Sequence, residues 1–147
     1  MDFDKAKKIH YLLFTFMGLF HEKIFIGFRQ ENCNTSLKKN HKKILNILYQ
    51  HDKLTITEIS KLLDIEKGSL TTLIDVLDEK DLVIRLNDPT DRRKTLISLS
   101  QNGKEEMERV MNYFAQRINK SLKKFNSDEV QQFETNLQFV VDLMKKL

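Results

Sequence analysis

Apolar residues recur at intervals of three and four along most of the chain, the spacing of one face of an α-helix. Between residues 5 and 31, Ile9, Leu12, Leu13, Phe16, Phe20, Ile24 and Phe28 form one such stripe. Tyr11, Phe14, Leu19 and Phe25 form a second set off it. A helix that is apolar on more than one side needs more than one neighbour, so this segment reads as core or as a subunit interface. Asn32, Asn34, Thr35 and Ser36 break the pattern and mark a loop around Cys33. A second helix is predicted over 37–50, with His41, Ile44, Leu45 and Leu48 on one face.

From Leu54 the pattern shortens. Thr55-x-x-Glu58 is a capping box, in which hydroxyl and carboxylate each satisfy a free backbone N–H at a helix start. Ile59, Leu62 and Leu63 give that short helix its apolar side, and Asp64-Ile65 connects it tightly to a further helix over 67–80. This next helix is expected to bury Leu70, Leu73, Ile74 and Leu77 and to expose Ser69, Thr71, Thr72 and Asp75. Two strands are predicted, 82–86 and 95–99, each rich in β-branched and apolar residues. They flank a polar loop, 87–94, that holds the single proline, Pro89. Two long helices follow. One runs over 101–124 on Met107, Val110, Met111, Phe114, Ile118 and Leu122. The last is capped by Ser127 and carries Val130, Phe133, Leu137, Val140, Met144 and Leu147, the pattern of a helix–helix seam.

The fold class is therefore mainly α with a small β-hairpin wing: a winged helix-turn-helix over 37–100, flanked by long helices at 1–36 and 101–147 with seam patterns and little to pack on except each other. With four glycines and one proline in 147 residues, the composition also favours long helices over many short strands. The formal charge of +4 adds little, because residues 53–104 hold nine Lys/Arg against nine Asp/Glu. One cysteine excludes an internal disulfide and points to a reducing compartment. The longest apolar run, Tyr11 to Phe20, is too short to span a bilayer. Lysines precede it as in a signal peptide, but no small-residue cleavage site follows, so a cytoplasmic location and no membrane partner are expected.

A helix-turn-helix works by holding its second helix rigidly enough to enter the major groove of double-stranded DNA. The exposed positions of that helix must be small or hydrogen-bonding, as Gly68, Ser69, Thr71 and Thr72 are. Arg92, Arg93 and Lys94 stand near the tip of the hairpin, where guanidinium groups suit phosphate and a narrow minor groove.

The run from Leu54 to Lys104 resembles the MarR family of multiple-antibiotic-resistance regulators. The residues that carry the likeness are LTITEISKLLDIEKGSLTTLIDVL, then DLVIR, DPTDRRK and LSQNG, about a third of the chain. The resemblance implies a homodimer whose winged domains face successive grooves of a palindromic operator, acting as a repressor. It implies DNA contacts at Lys67, Ser69, Thr71 and Thr72 on the recognition helix and at Arg92 on the wing tip, with Arg93 and Lys94 expected beside it from the basic run of the loop. Asp88 and Asp91 would orient the wing, with Asp91 holding an arginine in place. A small aromatic or phenolic effector is implied between the pairing helices and the winged domain, with Phe14, Met17, His21, Ile44 and Leu48 as its lining. The chain departs from the family where arginine is common, at Thr72, Val76 and Thr90, and where a Ser or Asp cap is common, at Glu66. Affinity is then expected to lean on the wing and on Lys38, Lys39, Lys42 and Lys43.

Other readings of the same residues stand beside this one. Cys33 resembles a peroxide-sensing thiol only loosely, lying past the first helix with Arg29 as its one nearby cation. His10, His21, His41 and His51 lack the clustering of a metal site, and no metal or cofactor is expected. The balanced charge of residues 53–104 also permits a winged module that docks a partner protein instead of DNA. No nucleophile–base pair, glycine-rich phosphate loop or metal-ligand spacing supports an enzyme.

Overall fold

The computed structural model describes residues 2–28 and 37–147. Cys33 and its neighbour Arg29 lie outside the described residues. The chain divides into two compact units: Met1–Ile26 with Tyr113–Leu147, and Gly27–Asn112.

The second unit contains α2 (Lys39–His51), β1 (Lys53–Thr55), α3 (Ile56–Leu63), α4 (Lys67–Glu79), β2 (Val83–Asn87), β3 (Thr95–Leu99) and the start of α5 (Gln101–Leu122). The strands form one antiparallel sheet in the order β1-β3-β2. The hairpin pairs Val83 with Leu99 and Asn87 with Thr95, leaving residues 88–94 as its loop. Strand β1 has no counterpart in the hydrophobic pattern: three residues are too few to show alternation, and Thr55 ends it while capping α3. It pairs Leu54 opposite Ile97 and so ties the start of the helix-turn-helix to the wing.

Ile44, Leu48, Ile59, Leu70, Ile74, Leu77, Val83 and Ile97 are closed off almost completely from solvent. They form one core drawn from across the unit, each side chain contributing about 1.5–3 kcal/mol of transfer free energy. Leu62, expected on the apolar side of α3, is instead about half exposed.

The scarcity of glycine is met in an unexpected way. Three aspartates take positive φ where the chain must reverse: Asp52 after α2, Asp64 after α3 and Asp81 after α4. Short polar side chains tolerate this region better than most, and here they fill the role that glycine fills elsewhere. At Asp81 the backbone carbonyl accepts from Ser100 Oγ at 2.5 Å, and its carboxylate accepts from Asn102 Nδ2 at 2.6 Å. Ser100 Oγ in turn accepts from the Gly103 N–H at 2.9 Å, capping α5. A Cβ on Gly103 would lie 2.0 Å from the Leu82 carbonyl oxygen, so glycine is required for this close approach.

The first unit holds α1 (Phe3–Phe20), a π-helical turn (His21–Phe25), the end of α5 and α6 (Ser127–Met144). The single helix expected over 5–31 is therefore corrected. Its regular part ends at Phe20, Ile26 is extended, and Gly27 has a φ of 95° that no helix continues through. Helix α6 is capped one residue earlier than expected: Asn126 Oδ1 accepts from Glu129 N, and Glu129 Oε2 accepts from Asn126 N. Phe25 stacks on Phe114 at 5.4 Å, and Tyr113 meets Phe114 edge-on. Neither α1 nor α6 buries any residue in the single chain.

Candidate nucleic-acid interface

Helix α4 is oriented by what it buries. Leu70, Ile74 and Leu77 are wholly enclosed, which turns Lys67, Gly68, Ser69, Thr71 and Thr72 outward as the periodicity predicts. The turn ahead of it is fixed by Ser60 Oγ donating to the Ile65 carbonyl at 2.7 Å. The capping box at Thr55 and Glu58 forms as expected, at 3.2 and 2.7 Å. Glu66 occupies the cap position of α4 but makes no capping hydrogen bond with its side chain.

Two features of α4 are not legible in the periodicity. Thr71 Oγ1 donates to the Lys67 carbonyl at 2.9 Å, and Thr72 Oγ1 donates to the Gly68 carbonyl at 3.4 Å. Both hydroxyl protons are thus used within the helix. The second feature is Arg85 on β2, whose guanidinium donates to Asp75 through Nη2 and to Asp78 through Nη1. The two carboxylates are three residues apart on one face, and the fork of one arginine spans them. The signal lies in that Asp-x-x-Asp spacing followed by an arginine on the adjoining strand. The clamp fastens the wing to α4 and neutralises two carboxylates beside its outward-facing positions.

The loop of the wing closes through Asp88 N to the Lys94 carbonyl, 3.2 Å, and Lys94 N to the Asp91 carbonyl, 3.0 Å. Asp91 Oδ1 accepts from the backbone N–H and the Nε of Arg93, at 3.1 and 3.2 Å. Asp88 does not contact an arginine. Its Oδ1 accepts from Thr90 Oγ1 at 2.7 Å and from Thr90 N at 2.9 Å, shaping the turn around Pro89. Those two bonds hold the Asp88 carboxyl below its ordinary value. Thr90 therefore serves the loop itself. Arg92 is exposed and has no side-chain partner among the described residues, which leaves its guanidinium available to an outside anion.

The other candidate residues fall in both units. Phe14 and Met17 are well exposed on α1, and His21 stacks on Phe25 at 5.6 Å. Ile44 and Leu48 belong to the core of the winged unit. Leu48 also borders an open cavity of about 210 Å³ with Tyr49, Asp52, Ser98 and Lys104. His41 is buried, its Nδ1 accepting from Lys38 N at 3.0 Å. Burial, then Lys38 and Lys80, lower its pKa. Among the described residues no group of three His, Cys, Asp or Glu could hold a metal ion, and no helix is long and apolar enough to cross a membrane.

Residues 37–95 match the family model described as the MarR family. That match covers less than half of the chain, and over it the sequence is similar to that family. An HTH-type transcriptional regulator of Bacillus subtilis, YdgJ, is 30% identical over 83 residues, covering 56% of this chain and 50% of the relative. The match thus spans half the length of that relative. Among solved structures, the transcriptional regulator Tm0710 of Thermotoga maritima superposes with a TM-score of 0.73 at 19% identity, covering 95% of this chain and 96% of that one. A mutant of MepR from S. aureus, solved bound to an oligodeoxyribonucleotide, gives 0.60 at 22% identity, covering 92% and 97%. These likenesses extend the fold beyond the matched segment to both helical ends.

Proposed function

We propose that this chain is a DNA-binding transcription regulator of the MarR type that acts as a homodimer on a palindromic operator. The observation that carries the reading is the outward guanidinium of Arg92 on a wing clamped by Arg85 to a hydroxyl-lined helix. The winged unit is a rigid presenter: helix α4 enters the major groove with Lys67, Ser69, Thr71 and Thr72, while Arg92, Arg93 and Lys94 meet phosphate or the minor groove. Pairing of two copies is supported by the apolar side chains that α1 and α6 leave exposed in the single chain, among them Phe14, Met17, Phe139 and Leu143. Half-sites are then expected about 10 base pairs apart, centre to centre.

Repression, and its relief by a small aromatic or phenolic effector, is part of the same proposal. Phe14, Met17 and His21 are the first residues to vary in testing effector binding, since Ile44 and Leu48 cannot be changed without disturbing the winged core.

The test is binding of the full chain to the DNA upstream of its own gene at several salt concentrations. Arg92→Ala is expected to weaken binding and to reduce the slope of log affinity against log salt by about one unit per subunit. An unchanged slope removes the wing from the interface. Absence of any DNA binding, with a stable complex to a protein instead, favours the protein-docking module.

A further inference from the structure

The hydroxyl protons of the recognition helix decide what kind of base it can read. A threonine hydroxyl offers one proton and two lone pairs. At Thr71 the proton is held by the Lys67 carbonyl at 2.9 Å, and at Thr72 by the Gly68 carbonyl at 3.4 Å. Each residue is exposed, and its oxygen keeps lone pairs to offer. One turn further along, the Asp75 carboxylate is occupied by Arg85. Ser69 makes no such bond within the helix, so of these three hydroxyls it alone keeps a free proton as well as lone pairs. The central part of the helix face is therefore an acceptor surface, with Lys67 and Ser69 as its donors at the N-terminal end.

The major-groove edges of the bases differ in this respect. Adenine N6 and cytosine N4 are donors, whereas guanine O6 and thymine O4 are acceptors. Resting on the DNA-binding reading above, we propose that Thr71 and Thr72 specify amino-bearing bases, adenine or cytosine, at the operator positions they meet. A guanidinium at the same positions would select guanine. The polarity of recognition is thus set by two intrahelical hydrogen bonds that orient the hydroxyls before DNA arrives.

The experiment is selection of bound sites from a random duplex library by the full-length chain and by Thr71→Val, Thr72→Val and Thr71→Ser. Valine keeps the shape and branching of threonine on an exposed helix face and removes only the hydroxyl. Each valine variant is expected to lose base preference at particular positions while keeping the rest of the site, and Thr71→Ser to retain it. Those positions are expected to be adenine or cytosine in the wild-type consensus. Where adenine is selected, replacing it by purine, which lacks the N6 amino group, is expected to lower wild-type affinity about fivefold and to leave the valine variant unaffected. Guanine or thymine at those positions, or valine variants with the wild-type consensus, would overturn the proposal while leaving DNA binding intact. Failure of the wild-type chain to enrich any site would overturn the DNA-binding reading itself.

Discussion

Individual residues carry most of the chemistry here, and three of them lend themselves to direct measurement. Arg85 bridges two carboxylates of α4, but all three side chains are about a third exposed or more. Surface pairs of this kind contribute at most about 1 kcal/mol, so Arg85→Ala is expected to cost about that much stability in a denaturant titration. Its effect on DNA affinity is expected to be larger, because it releases the wing from the helix and uncovers Asp75 and Asp78 beside the phosphates. Gly103→Ala places a methyl group 2.0 Å from the Leu82 carbonyl oxygen and is expected to destabilise the winged unit by about 3 kcal/mol or more. His41 gives a pH dependence. Burial keeps its imidazole neutral, so its folded pKa lies below the unfolded value. The unfolded chain then binds the proton more readily, and stability is complete above the ordinary imidazole value and falls as pH drops toward the lowered one. Thermal melts from about pH 7.5 to about pH 5 are expected to show a steeper loss in the wild type than in His41→Gln, whose amide oxygen can still accept the Lys38 N–H. Equal loss in both removes His41 as the cause.

At the scale of elements, periodicity identifies what is long and the structure supplies what is short. Helices α2, α4 and α5 lie within a residue or two of their expected ranges because their apolar faces repeat over several turns. Strand β1 is invisible to the pattern because three residues carry no period, although it completes the sheet. The first helix reads too long because Ile24 and Phe28 continue its stripe through a π-helical turn, where five-residue spacing replaces four, and because one glycine, Gly27, does not by itself announce a break. Positive φ at Asp52, Asp64 and Asp81 is equally hidden, since aspartate also suits ordinary turns and caps. The site divides in the same way. The outward face of α4 and the arginine-tipped loop follow from local pattern. The Arg85 clamp joins residues seven and ten positions apart on different elements, and the hydroxyl orientations depend on rotamers, so a linear reading shows neither.

For the whole molecule, the neutral charge count of residues 53–104 matters less than how those charges are spent. Asp75 and Asp78 are taken up by Arg85, and Asp91 by Arg93, while Arg92 has no side-chain partner among the described residues. A unit that is balanced by count thus turns a cation toward its surroundings from the wing. Two such units, joined through the apolar faces of α1 and α6, would meet DNA twice with dyad symmetry. Hydroxyl-radical footprinting of the full chain on a site selected from random duplex tests this account most directly. Two protected patches on each strand, related by a dyad and about 10 base pairs apart, are the expected result. A single patch without symmetry, or no protection on any selected site, would contradict it.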